Sequence, residues 1–159
     1  MHSFRLVGLP SDPFQALFDL DDDALRARAI RRCVADEPFG FPCRISLEDA
    51  AVGDELLLLS HEHLALDSPY RAGGPIFVRR GARRASLAPG VLPPYVTRRL
   101  VSARAYDAGG MMLAADVCEG EAAQAATIAR LFEDPAVDFL HLHNARRGCY
   151  SCRVERVAA

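Results

Sequence analysis

Residues Ser3 to Leu9 alternate phenylalanine, leucine and valine with polar partners, a period of two that predicts a first strand, and Pro10 with Pro13 breaks it. Asp21-Asp22-Asp23 ahead of ALRARAI places acids at a helix N-terminus and helix formers behind them, predicting a short helix to about Ile30. Arg31–Ala35 then reads as a strand, Phe39–Pro42 as a turn, Arg44–Leu47 as a short extended piece, and Gly53-Asp54 as the turn before a strand over Glu55–His63. A loop, DSPYRAGG, leads to a strand at Pro75–Arg80, and Gly81–Pro94, with three prolines and little periodicity, reads as a long surface loop. Leu100–Tyr106 and Met111–Cys118 flank a glycine-containing turn and predict a β-hairpin. Helical spacing of apolar residues over Glu119–Phe132 predicts the longest helix, stopped by Asp134-Pro135. Val137–His143 and Cys149–Val157, around a turn at Asn144–Gly148, predict a second hairpin.

Strands arranged as hairpin neighbours, with too few helices for repeated βαβ units, predict an α+β fold. The expected architecture is a mainly antiparallel sheet of about six to eight strands with one or two helices packed on it. At 159 residues the chain has the length of a single domain, 1–159, able to bury roughly 70% of its unfolded surface. Glycine-rich dinucleotide and phosphate-loop motifs are absent from the sequence.

Composition narrows the chemistry further. All nineteen basic residues are arginine, so Schiff-base catalysis and lysine-dependent phosphate loops are excluded. A net charge of −2 lacks the positive excess that a nucleic-acid partner demands. Arg5 and Pro10 interrupt any apolar leader, and the longest aliphatic run is Leu56–Leu59, so neither export nor a membrane partner is expected. Five cysteines without a secretory signal predict reduced thiols and a cytoplasmic location.

The stretch HLHNARRGCYSC concentrates reactive side chains. With a five-residue loop, His143 would lie opposite Cys149 and His141 opposite Ser151 on one face, while Leu142 meets Tyr150 and Leu140 meets Cys152 on the other. In that register His143 would act as a base toward a Cys149 nucleophile, Asn144 would orient the imidazole, and Arg146 would meet a substrate anion. The alternative is that Cys149 is a small apolar residue and His143 a structural one. Cys149 and Cys152 match C-x-x-C, but positions three apart on a strand point to opposite faces, which argues against a redox or zinc pair.

Two H-x-H pairs, His61/His63 and His141/His143, each aim two imidazoles the same way along a strand. If their strands met, the histidines could converge on zinc or iron, with Asp67 or Cys149 as a further ligand. FPCR places Cys43 after a proline in an extended turn beside Arg44, and SPYRAGG places Tyr70 and Arg71 before a glycine pair that lets a backbone approach a ligand, although turn chemistry also explains both.

Four segments, FPCRISLEDAAVGDELLLLSHEH, DSPYRAGGPIFVR, RAYDAGGMMLAADVCEG and HLHNARRGCY, occur in an order that resembles a bacterial family described only as a domain of unknown function. The resemblance implies a free-standing small protein. It places Cys43, His63, Tyr70, Arg71, His143, Asn144, Arg146, Gly148 and Cys149 within the matching segments, brings no activity or cofactor with it, and fits Cys152 and His61 less well.

Three functions follow as expectations. The first is a small-molecule site where the last hairpin meets the FPCR and SPYRAGG loops, with Cys43, His63, Tyr70, Arg71 and Arg146 around a thiol at Cys149. The second is metal binding through the H-x-H pairs. The third is a non-enzymatic structural or assembly protein whose hairpin residues hold the fold.

Overall fold

A computed structural model describes residues 3–158; Met1, His2 and Ala159 lie outside the described residues. The described residues form ten strands in two five-stranded sheets, the longer strands on alternating apolar positions. The chain begins with β1 (Ser3–Val7), then passes through two short helices, α1 (Asp12–Gln15) and α2 (Asp22–Ala27). The Asp21 carboxylate accepts the Ala24 N–H at 2.7 Å and caps α2, as the acidic triplet predicts. The second sheet is then laid down in one continuous stretch: β2 (Arg31–Val34), β3 (Pro42–Cys43), β4 (Glu48–Asp49), β5 (Glu55–Leu64) and β6 (Ala72–Arg79), in the order β2-β5-β6-β3-β4. Its pairings are antiparallel except for β3 with β6, which is parallel.

After a loop and α3 (Pro94–Thr97) the chain returns to the first sheet with β7 (Leu100–Tyr106) and β8 (Met112–Glu119). Then come α4 (Glu121–Leu131), β9 (Phe139–Asn144) and β10 (Tyr150–Val157). The first sheet runs β1-β10-β9-β7-β8 and is antiparallel throughout, closed at one side by β1 pairing with the distant β10. The architecture is therefore α+β and mostly β, but the expected single sheet of six to eight strands is corrected to two sheets of five. Two-residue strands such as β3 and β4 leave no period to read. Pairing partners far apart in sequence, such as β1 with β10, are set by tertiary contacts.

Arg44–Leu47, expected to be extended, is instead the tight turn of the β3–β4 hairpin, with Leu47 at φ 53°. The Gly81–Pro94 segment is tied to both sheets. Ala85 N–H bonds to the Ile45 carbonyl at 2.9 Å, Gly90 N–H bonds to the Phe4 carbonyl at 2.8 Å, and Ser86 bridges to Val7. Gly8 permits the close approach at this crossing, since a Cβ there would sit 2.1 Å from the Ile45 carbonyl oxygen.

β9 is the central strand of its sheet and is covered on both faces. Leu140 and Leu142 pack with Ile128, Leu131 and Phe132 of the α4 region, and Val101, Ala103, Cys152 and Val154 complete this core. Burying each such leucine stabilises the fold by roughly 1.5–3 kcal/mol. By strand alternation Phe139, His141 and His143 face the opposite way, toward the second sheet. Among the described residues no helix is long and apolar enough to cross a membrane.

Candidate metal centre

Three imidazoles meet between the sheets. His63 comes from β5, and His141 and His143 come from β9; one ligand nitrogen from each lies within 4.8 Å of the others. Ring centroids are 4.9 Å apart for His63–His143, 5.8 Å for His63–His141 and 6.4 Å for His141–His143. His141 and His143 are 2% and 1% exposed, whereas His63 is half-buried and forms the solvent side of the group. Each histidine has one buried ring nitrogen without a hydrogen-bond partner: Nδ1 of His63, Nδ1 of His141 and Nε2 of His143.

His143 shows how the cluster is oriented. Its Nδ1 lies 3.0 Å from the Gly148 carbonyl oxygen. A carbonyl only accepts, so Nδ1 carries the proton and Nε2 presents a lone pair. A backbone carbonyl holding one imidazole nitrogen while the other is left free is the arrangement that orients metal-binding histidines. Gly148, at φ 79°, occupies the left-handed region and closes the turn, with its N–H bonded to the Asn144 carbonyl at 2.7 Å.

Burial holds all three imidazoles in the neutral form. It depresses His63 and His143 to about 4 and His141 to about 3, with neighbouring positive charge adding to the effect. One such charge is Arg104, opposite His141 on β7, whose Nε donates to the Ser102 hydroxyl at 3.2 Å. Tyr150 completes the packing: its ring stacks on His63 at 5.0 Å and 5°, and meets His141 edge-on at 5.0 Å.

The hairpin register differs from the expected one. Tyr150, not Cys149, pairs with His143; Cys152 pairs with Leu142, and Arg153 with His141. The loop is one residue shorter, because the Asn144 N–H already bonds to the Cys149 carbonyl at 2.9 Å. A bulge between Tyr150 and Cys152 absorbs the shift. Its carbonyls are taken up by buried side chains: the Arg44 Nε donates to the Tyr150 carbonyl at 2.9 Å, and the Tyr95 hydroxyl donates to the Ser151 carbonyl at 3.1 Å. The shorter loop therefore places Tyr150 on the histidine face, and the bulge returns Cys152 to the face of Leu142.

The other residues singled out from the sequence divide between locations. Cys149, Asn144 and Arg146 line a cleft of about 470 Å³ at the hairpin end, together with Arg44 and Arg147. The Cys149 Sγ is 4.0 Å from the Arg147 carbonyl, and His143 turns into the histidine cluster instead. Cys43 is fully buried, and its sulfur accepts the Arg79 N–H at 3.3 Å. Arg71 pairs with Glu62 at 2.5 Å, and the Tyr70 ring lies 6.4 Å from Tyr106, so the SPYRAGG loop borders the histidine side. His61 sits beside Phe14 at 5.9 Å, outside the trio; neither Asp67 nor Cys149 joins it. All five cysteines are free, and burial raises the Cys152 thiol to about 12.

His141, Tyr150 and Arg104 are the neighbours that the leading sequence expectation left out. The H-x-H spacing signalled His141; nothing local signalled the other two, which arrive through the bulge and through the β7–β9 pairing.

No curated protein and no solved structure matches the chain significantly. The family model described as a protein of unknown function, DUF1203, matches residues 40–156, a span that contains all four segments on which the resemblance was read. The chain belongs to that family.

Proposed function

We propose that the protein binds a first-row transition metal ion through His63, His141 and His143. The observation that carries this reading is the convergence of three imidazoles, each with an unpartnered buried nitrogen, within 4.8 Å. Leaving buried polar atoms without partners costs about 1–3 kcal/mol each, so three in one cluster need a common purpose. A zinc ion takes imidazole nitrogens at roughly 2.0–2.1 Å, so binding would draw the three rings closer together.

Imidazole-only donation suits zinc, copper, iron or nickel rather than calcium or magnesium. Three protein ligands leave a coordination position for water or a small anion, as in catalytic zinc sites and unlike closed four-ligand structural ones. The charged residues paired with His141 on the two neighbouring strands are both arginines, Arg104 and Arg153, so an anion is the better match for that position.

The test is metal loading of untagged protein. Incubation with Zn²⁺ or Co²⁺ followed by desalting and elemental analysis should give about one equivalent, and the cobalt form should show the visible bands of a low-coordinate ion. The variants H141A and H143A should each lose both. Retention of the ion at the wild-type ratio by folded H141A and H143A, or less than a tenth of an equivalent on the wild type, would remove the proposal.

A further inference from the structure

We infer that the cleft at the end of the β9–β10 hairpin is a separate binding site for a small organic carboxylate, with the Cys149 thiol at its edge. The first support is charge. Five arginines and two glutamates, Glu37 and Glu119, line the cleft. Arg98 and Arg99 both lean on Asp49, at 3.6 Å and 2.5 Å. Arg44, Arg146 and Arg147 have no carboxylate partner among the described residues, so the cavity retains excess positive charge.

Arg44 is the informative member. It is 3% exposed, and its hydrogen bonds go to the Tyr150 and Pro42 carbonyls through Nε and Nη1. Dipoles alone surround a buried guanidinium that still has Nη2 to offer. Burying a charge is expensive unless an opposite charge meets it, and the side open to meet one is the cleft. The planar fork of a guanidinium matches a carboxylate in particular.

The second support is shape and neutral lining. The cavity is about 470 Å³, within the range of small-ligand pockets, and Leu58 and Phe77 give it apolar walls. Asn144 adds a neutral polar residue to the lining. A compact molecule with an apolar body and one carboxylate fits the charge and the walls together. The site lies apart from the three histidines and does not depend on a metal.

Cys149 reports on the cleft directly, because it lines the cavity and is half-buried, while Cys43, Cys118 and Cys152 are buried. Iodoacetate and iodoacetamide alkylate a thiolate by the same displacement: sulfur bonds to the methylene carbon and iodide leaves. They differ in charge, so the ratio of their rates at one thiol cancels its thiolate fraction and reads local preference for an anion. Mass spectrometry would follow Cys149, with the half-buried Cys33 and a peptide spanning residues 144–152 as references.

The expected result is an iodoacetate-to-iodoacetamide ratio at Cys149 at least tenfold above both references. Benzoate should lower it, but benzyl alcohol should not, and the double variant R146A/R147A should bring it most of the way back. A ratio equal to that of the peptide, or one unmoved by saturating benzoate, would overturn the inference, whatever the outcome of metal loading.

Discussion

The His143 imidazole and the Gly148 carbonyl are locked 3.0 Å apart by a turn that only a left-handed residue closes without strain. This single bond sets the tautomer of one imidazole in the histidine cluster. Replacing Gly148 by alanine forces a side chain into φ 79°, with open space around it, so the effect is conformational and not a clash. G148A should lose about 1 kcal/mol of stability in urea denaturation. Its metal affinity, followed by titration of the apo protein, should fall about tenfold, the scale seen when an outer-shell partner is lost.

His141 separates a functional cluster from a structural one. Leucine has a similar volume and no orphaned nitrogen, so H141L should leave the apo protein as stable as wild type or more so. Excess zinc at a hundredfold over Kd should stabilise wild type by about 2.7 kcal/mol and leave H141L unchanged. Thermal unfolding of both proteins with and without zinc measures each arm. A destabilised apo H141L would assign the imidazole a packing role instead.

Acid should weaken the apo protein. The three histidines are depressed in the folded state to about 4, 3 and 4, below their ordinary value of 6.5, so in the unfolded chain they take up protons first. Between those limits the unfolded state binds more protons, and stability falls as pH drops through 6.5 toward 4. Urea midpoints at pH 7.5, 6.0 and 5.0 should decline progressively, and H141L should show a shallower decline.

The bulge gives a stability test that is independent of any ligand. Y95F deletes the hydroxyl that donates to the Ser151 carbonyl and should cost about 1 kcal/mol. R44M strips two buried carbonyls, those of Tyr150 and Pro42, and should cost more, about 2–3 kcal/mol. Its loss should also loosen Tyr150 from the histidine face, read as a change in tyrosine near-ultraviolet dichroism. Equal stabilities for Y95F and wild type would mean that water replaces the hydroxyl at no cost.

The periodicities along the chain determined most of the elements: β1, α2, β2, β5, the β7–β8 hairpin, α4 and the β9–β10 hairpin all arise from local alternation, caps and breakers. The two H-x-H pairs also declared locally which imidazoles share a strand face. Tertiary structure decided the rest. Whether two strand faces meet depends on how sheets stack, and the sequence carries no period for that, so His63 joins His141 and His143 while His61 does not. The pairing of His143 with Tyr150 instead of Cys149 turns on one residue of loop length and a bulge whose carbonyls are held by Arg44 and Tyr95, far away in the chain. With a side-chain period of two, a shift of one residue is enough to move a group from one site to another, and only long-range contacts choose between the two registers.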